Sequence, residues 1–269
     1  MTVITKITTQ KKNKDRYNIF MDYGNGEEYA FSVDGDVLVK FQLKKGMELD
    51  DLSLTEIHYQ DDVRKAYHMA IRFLSRKMRS ETEVKRYLAE KEVDVPIIQE
   101  VVHKLNDYQF LNDEEYAYAY VRTQMNTTDK GIDLIRRELL ELGIHEDLIS
   151  ASLNEYPYDM QVEKAVELCG KFTKKHSKDS QRILKQKTEQ HLIRKGFPLD
   201  IISAALEKFN NNHHHAEELD ALKFQAEKAN RKYAGLSSYE YKQKMKQFLF
   251  RKGFSIESIE EFLNTQNDA

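Results

Sequence analysis

The residues of this chain best suited to chemistry are cations gathered in two runs. From Arg64 to Lys91 nine lysines and arginines stand against three carboxylates, and from Lys171 to Lys195 nine stand against two, in a 269-residue chain whose formal net charge is only −3. Guanidinium and ammonium groups at that density suit phosphate oxygens, because charge-assisted hydrogen bonds and counterion release both favour the contact. Each run also spans a turn between two helices, where the amides of the following helix's first turn can add donors. The candidate contacts are Arg72, Arg76, Lys77, Arg79, Lys85 and Arg86 in the first run and Lys174, Lys175, Lys178, Arg182 and Lys185 in the second. Arg122, Lys130, Arg136 and Arg137 join them from the intervening segment. The competing reading is that these cations only complement the negative ends of helix dipoles.

Other chemistries find little support. There is no phosphate loop of the Gly-x-x-x-x-Gly-Lys-Ser type, no Gly-x-Ser-x-Gly elbow and no His-Glu-x-x-His helix, so the sequence does not read as an enzyme and no cofactor is expected. The single cysteine, Cys169, excludes an intramolecular disulfide or a cysteine zinc cluster and reads as a small core residue. His213-His214-His215 sits in an aperiodic asparagine-rich loop without acidic or thiolate partners and is not expected to hold a metal. Tyr116, Tyr118 and Tyr120 lie in one helix; packing is the favoured role, with base stacking on Tyr118 the alternative. No stretch reaches the roughly 18 to 20 apolar residues of a membrane span, and with no leader pattern a cytoplasmic protein is expected.

The elements that must position the cations show a repeat. Leu192-Ile193-Arg194-Lys195-Gly196-Phe197 returns as Leu249-Phe250-Arg251-Lys252-Gly253-Phe254, more loosely as Leu139 to Ile144, and as Leu88 to Val93 with Glu92 in place of glycine. The period is about 50 to 57 residues. Each copy punctuates the end of a second helix, a left-handed turn and a third helix; Arg194, Lys195, Arg251 and Lys252 are second-rank contacts. Ser80-Glu81-Thr82-Glu83 and Ser237-Ser238-Tyr239-Glu240 are capping boxes that start second helices. Ile97, Ile98, Val101, Val102 and Leu105 form one face of a third helix opened by Asp94 and Pro96.

The first sixty residues differ. Tyr17, Ile19, Met21 and Tyr23 alternate, as do Tyr29, Phe31 and Val33, with Asn25-Gly26 as the hairpin turn between them. Gly35 marks a second reversal before an alternating Val37, Val39, Phe41 and Leu43, and helical periodicity takes over from about Gln60. The expected fold is mainly α, an elongated tandem array of four three-helix repeats after a small β-rich module. Its divisions are 1–60, 61–110, 111–157, 158–210 and 216–264.

The run Ala70-Ile71-Arg72-Phe73-Leu74-Ser75-Arg76-Lys77-Met78-Arg79-Ser80-Glu81-Thr82-Glu83-Val84, then Phe110 to Ala117, then Lys130-Gly131 with Ile135, Glu138, Leu139, Gly143 and Ile144, resembles the RecX family of recombination regulators. Glu92, Tyr116 and Ile132 replace that family's usual glycine, phenylalanine and proline, and the first module is similar to the extension of its longer, Gram-positive type members. The resemblance implies a non-enzymatic regulator of homologous recombination, DNA repair and the SOS response. Such a protein lies on the RecA nucleoprotein filament, contacts single- and double-stranded DNA, and modulates, mainly by inhibition, ATP hydrolysis, strand exchange and co-protease activity. No membrane contact is implied and a monomer is expected. The alternative is a helical-repeat scaffold that binds protein without touching DNA.

Overall fold

A computed structural model describes residues 2–210 and 216–265; the histidine triplet lies outside the described residues. The chain divides into two compact units, Met1–Tyr116 with Leu142–Leu148 and Ala117–Glu141 with Ile149–Ala269. It is mainly helical, with a small sheet at its start, as the periodicities indicate.

In the first unit, strands β1 (Thr2–Thr9), β2 (Arg16–Asp22) and β3 (Glu27–Asp34) form an antiparallel sheet. The expected alternation holds at the centre of each run, where Ile19, Met21 and Val33 are fully buried and Phe31 nearly so, but Tyr23 and Tyr29, at the ends nearest the hairpin turn, are exposed. The Asp22 carboxylate closes the hairpin by accepting from the amides of Gly24 at 2.7 Å and Gly26 at 3.0 Å. The expected strand after Gly35 is instead a helix, α1 (Gly35–Lys40). Asp34 caps it by accepting from the Asp36 amide, so Val37 turns into the core and Val39 out to solvent. An Asp-Gly-Asp helix start outweighed the alternation of Val37, Val39, Phe41 and Leu43. A short β4 (Glu48–Leu49) completes the sheet in the order β3-β2-β1-β4.

Helix α2 (Asp51–Leu74) starts well before the expected Gln60. It serves two cores. Ile57 packs with Ile4, Ile19, Met21 and Val33 of the sheet. Val63, Ala66 and Ala70 pack instead with the two helices that follow, α3 (Glu81–Glu90) and α4 (Val95–Asp107). All five apolar residues expected on the α4 face are buried there. Each fully buried aliphatic side chain, such as Leu88 or Leu105, contributes about 1.5 to 3 kcal/mol.

The sheet is pinned to α2 by charge as well. Arg16 reaches the nearly inaccessible Asp61 at 2.8 Å, Lys65 reaches the same carboxylate at 3.0 Å, and the Asp34 amide donates to it at 2.8 Å. Burial by itself raises the Asp61 pKa, but the hydrogen bonds from Arg16, Asp34 and Lys65 outweigh it and hold the carboxyl below its ordinary value.

Three further helix triplets follow: α5 (Asp113–Thr127), α6 (Ile132–Glu141) and α7 (Glu146–Leu153); α8 (Tyr158–Lys175), α9 (Gln181–Lys195) and α10 (Leu199–Asn210); α11 (Ala216–Tyr233), α12 (Ser238–Arg251) and α13 (Ile256–Thr265). Cys169, Leu192, Phe197 and Ile201 share the core of the α8 to α10 triplet, and Leu249, Phe254 and Ile259 that of the last. The repeat phrase is therefore a turn, as its spacing indicates. Gly143, Gly196 and Gly253 have φ of 80°, 83° and 87°, and Glu92 adopts the same left-handed backbone at 59°.

Candidate nucleic-acid interface

The two basic runs meet the fold at the starts of α3 and α9, and the local hydrogen bonds decide what those starts can hold. At α3 the Ser80 hydroxyl accepts from the Glu83 amide at 3.1 Å and donates to the Leu142 carbonyl at 2.7 Å. Glu83 returns the capping bond to the Ser80 amide at 3.1 Å and also accepts from Arg79 at 2.9 Å and from the Tyr116 hydroxyl at 3.0 Å. Burial would raise the Glu83 carboxyl, but these donors outweigh it and keep it low; burial and the Glu83 charge together push the Tyr116 phenol up. The Glu81 amide donates to Asp113 at 2.9 Å. Burial, and then the nearby Glu81 charge, raise the Asp113 pKa.

The start of α9 is built alike. Its Ser180 hydroxyl caps the Ile183 amide and donates to the Lys252 carbonyl at 2.6 Å, while the Gln181 amide donates to Glu218 at 2.7 Å. The amides expected to greet phosphate are thus already engaged by caps and carboxylates. Any anion recognition falls to the side chains.

Those side chains separate into two groups. Arg79 is half-buried over the Phe73 ring, 4.2 Å from its centroid, and bound to Glu83; Lys85 reaches Glu81 at 2.6 Å. Arg122 makes two bonds to Glu155, at 2.8 and 2.9 Å. Lys130 bonds to Glu138 at 2.6 Å, where Tyr120 also donates at 2.8 Å, and Arg136 is likewise engaged. Arg72, Arg76, Lys77 and Arg86 in the first unit, and Arg137, Lys174, Lys175, Lys178, Arg182 and Lys185 in the second, are exposed and have no carboxylate partner among the described residues. Lys178 lies 4.1 Å from the centre of the Phe224 ring, a contact that leaves its charge available. Of the tyrosines, Tyr116 is buried and Tyr118 half-buried, with Arg122 beside its ring.

What sequence reasoning missed is a cleft of about 640 Å³ beside the second run, where Leu184, Leu206 and Phe209 meet Lys174, Arg182 and Lys185. Its only sequence signal is apolar residues interleaved with cations.

Four family models cover most of the chain. The regulatory protein RecX N-terminal domain matches residues 2–50, the first three-helix domain of RecX 66–105, the second 112–153, and the third matches twice, at 159–206 and 216–263. Regulatory protein RecX of Bacillus velezensis is 50% identical over 266 residues, covering 99% of this chain and 100% of the relative. The chain belongs to the RecX family. Regulatory protein RecX of Bacillus subtilis strain 168 is also 50% identical, over 99% of each chain. A crystal structure of regulatory protein RecX superposes with a TM-score of 0.69 at 34% identity, covering 77% of this chain and 100% of that one. The RecX structure from Lactobacillus salivarius gives 0.54 at 37% identity over 56% of this chain and 99% of its own. That one RecX model fits both the α8 to α10 and the α11 to α13 triplets agrees with the near-identical phrases ending at Phe197 and Phe254. Among the described residues no helix is long and apolar enough to cross a membrane.

Proposed function

We propose that this chain is a non-enzymatic cytoplasmic regulator of RecA that binds the RecA nucleoprotein filament as a monomer and mainly inhibits its ATPase, strand-exchange and co-protease activities. The observation that carries the proposal is the full-length match to proteins named regulatory protein RecX, with every segment of the chain represented. The unpaired cations supply a means. Arg76 and Lys77 stand exposed on the turn before α3, where phosphates of single- or double-stranded DNA can reach them.

The test is RecA ATP hydrolysis on single-stranded DNA, and DNA binding across a salt series, with Arg76→Glu/Lys77→Glu and Arg122→Ala/Glu155→Ala compared. The first variant removes two free contacts. It should weaken inhibition and lower the slope of log affinity against log salt by about 1.4 to 1.8, at about 0.7 to 0.9 per phosphate contact. The second removes a neutralised pair and should leave both unchanged. No effect of the unaltered chain on RecA would refute the regulator reading.

A second reading has its own support. Five candidate cations are already engaged and the starts of α3 and α9 are occupied, as in a scaffold that binds protein alone. A chain that inhibits RecA yet shows no affinity for free DNA at any salt would favour it.

A further inference from the structure

The cleft beside α9 is unlike the rest of the basic surface. Leu184, Leu206 and Phe209 give it an apolar floor, Lys174, Arg182 and Lys185 a cationic rim, and its volume of about 640 Å³ falls in the range of sites that hold a few side chains. None of the three cations has a carboxylate partner among the described residues, although acidic groups stand close by.

Those acidic groups narrow the occupant. Asp179 lines the cleft but is held by Lys187 at 2.7 Å, and Glu218 lines it while accepting from the Gln181 amide at 2.7 Å. With the Ile183 amide turned to Ser180, no set of amides is left to converge on a phosphate. Two carboxylates in the wall also repel a phosphodiester running through the cleft. A polypeptide, unlike a phosphodiester, does not carry a charge at every unit, so it can set uncharged residues against these two carboxylates. Its amide hydrogens can be accepted by wall oxygens, its apolar side chains can displace water from Leu184, Leu206 and Phe209, and its acidic side chains can pair with the rim.

We propose that this cleft is a docking site for a short acidic protein segment carrying aliphatic or aromatic anchors. The apolar floor supplies affinity through one or two buried anchors. The rim supplies the encounter rate and the sign of the partner's charge. The site stands apart from filament binding through Arg76 and Lys77, and it holds whether or not the chain touches DNA.

Fluorescence anisotropy on the full-length chain tests it with a labelled peptide, Glu-Asp-Leu-Asp-Glu-Phe-Asp-Glu, and its counterpart with serine replacing leucine and phenylalanine. The anchored peptide should bind, and the serine peptide should bind about tenfold more weakly, the loss of an apolar anchor. Arg182→Glu/Lys185→Glu should weaken the anchored peptide by about tenfold or more, and Arg76→Glu/Lys77→Glu should leave it unchanged. Leu184→Ser should narrow the gap between the two peptides. Should that variant fail to fold, the peptide pair on the unaltered chain still decides. Equal binding of the two peptides, no binding of either, or equal weakening by both charge reversals would overturn the proposal. So would a labelled deoxythymidine 15-mer that loses as much affinity as the anchored peptide on Leu184→Ser, an outcome that would assign the cleft to nucleic acid.

Discussion

The hydroxyl of Ser180 donates to the carbonyl of Lys252, 72 residues away, at 2.6 Å. Ser180 opens the second helix of one triplet, and Lys252 immediately precedes the left-handed Gly253 that closes the second helix of the next. The Ser80 hydroxyl does the same with the Leu142 carbonyl, just before Gly143. A third joint uses backbone alone: the Gly131 amide donates to the Lys195 carbonyl at 2.7 Å and the Asp133 amide to the Gly196 carbonyl at 2.9 Å. The glycine of the repeat phrase thus serves the turn and also lets one helix end meet another helix start.

Gly196→Ala tests that double duty. A Cβ on Gly196 would lie 2.5 Å from both the backbone nitrogen and the Cβ of Leu134, and φ is 83°. The left-handed backbone alone costs an L-residue about 1 to 2 kcal/mol, and the clash adds to it, so a loss of about 3 kcal/mol is expected in urea unfolding followed by circular dichroism. A loss within 1 kcal/mol would show that the joint yields freely.

Glu92→Gly should act in the opposite direction. Glu92 is exposed and holds φ of 59°, with no Cβ-free approach to preserve. Removing its side chain relieves left-handed strain but gives the unfolded chain more freedom, leaving a net gain of about 0.5 to 1 kcal/mol. Slower amide hydrogen exchange in α3 would report it, and faster exchange would count against it.

Asp61 makes the joint between the sheet and α2 sensitive to acid. Its folded carboxyl lies below the 3.8 of an ordinary aspartate, so its stabilisation is complete above that pH and fades as pH falls through the folded value. Asp61→Asn should cost about 3 kcal/mol at neutral pH by leaving Arg16 without its buried partner. The variant should also lose less stability than the unaltered chain as pH falls below about 4, a difference thermal melts in acid can measure.

Cys169 should be inert. It is fully buried, and burial pushes its thiol up to about 11, so almost no thiolate exists at neutral pH. Ellman's reagent should react within minutes in denaturant and only over hours without it; fast labelling of the folded chain would place the thiol at the surface.

How much of this was legible in the sequence depended on the range of the interactions involved. The capping boxes at Ser80 and Ser237 and the left-handed turns at Gly143, Gly196 and Gly253 are local, written in residues three or four apart, and all are found. Val37, Val39, Phe41 and Leu43 misled because their alternation fits a strand, whereas the cap at Asp34 turns the chain into a short helix that buries Val37 and exposes Val39. β4 went unread because it is two residues long and pairs with β1 across more than forty residues. The division of the cations into paired and free was hidden for the same reason. Arg122 finds Glu155 33 residues on, whereas Arg76 and Lys77 look no different in the sequence and find no carboxylate among the described residues. The cleft required Leu184, Leu206 and Phe209 to be seen on one wall, where a linear reading assigns each to the core.

The bond from Ser180 to Lys252 also ties the unfolding of the last two triplets together. When α12 melts, the Lys252 carbonyl withdraws and the first turn of α9 loses its neighbour, so fraying that begins at the far end weakens the next helix start. Melting of α9 leaves the Ser237 cap of α12, with its own Glu240, intact. At its other end, however, α12 loses the donor to its Lys252 carbonyl, so the shared bond passes disorder between the two triplets in either direction.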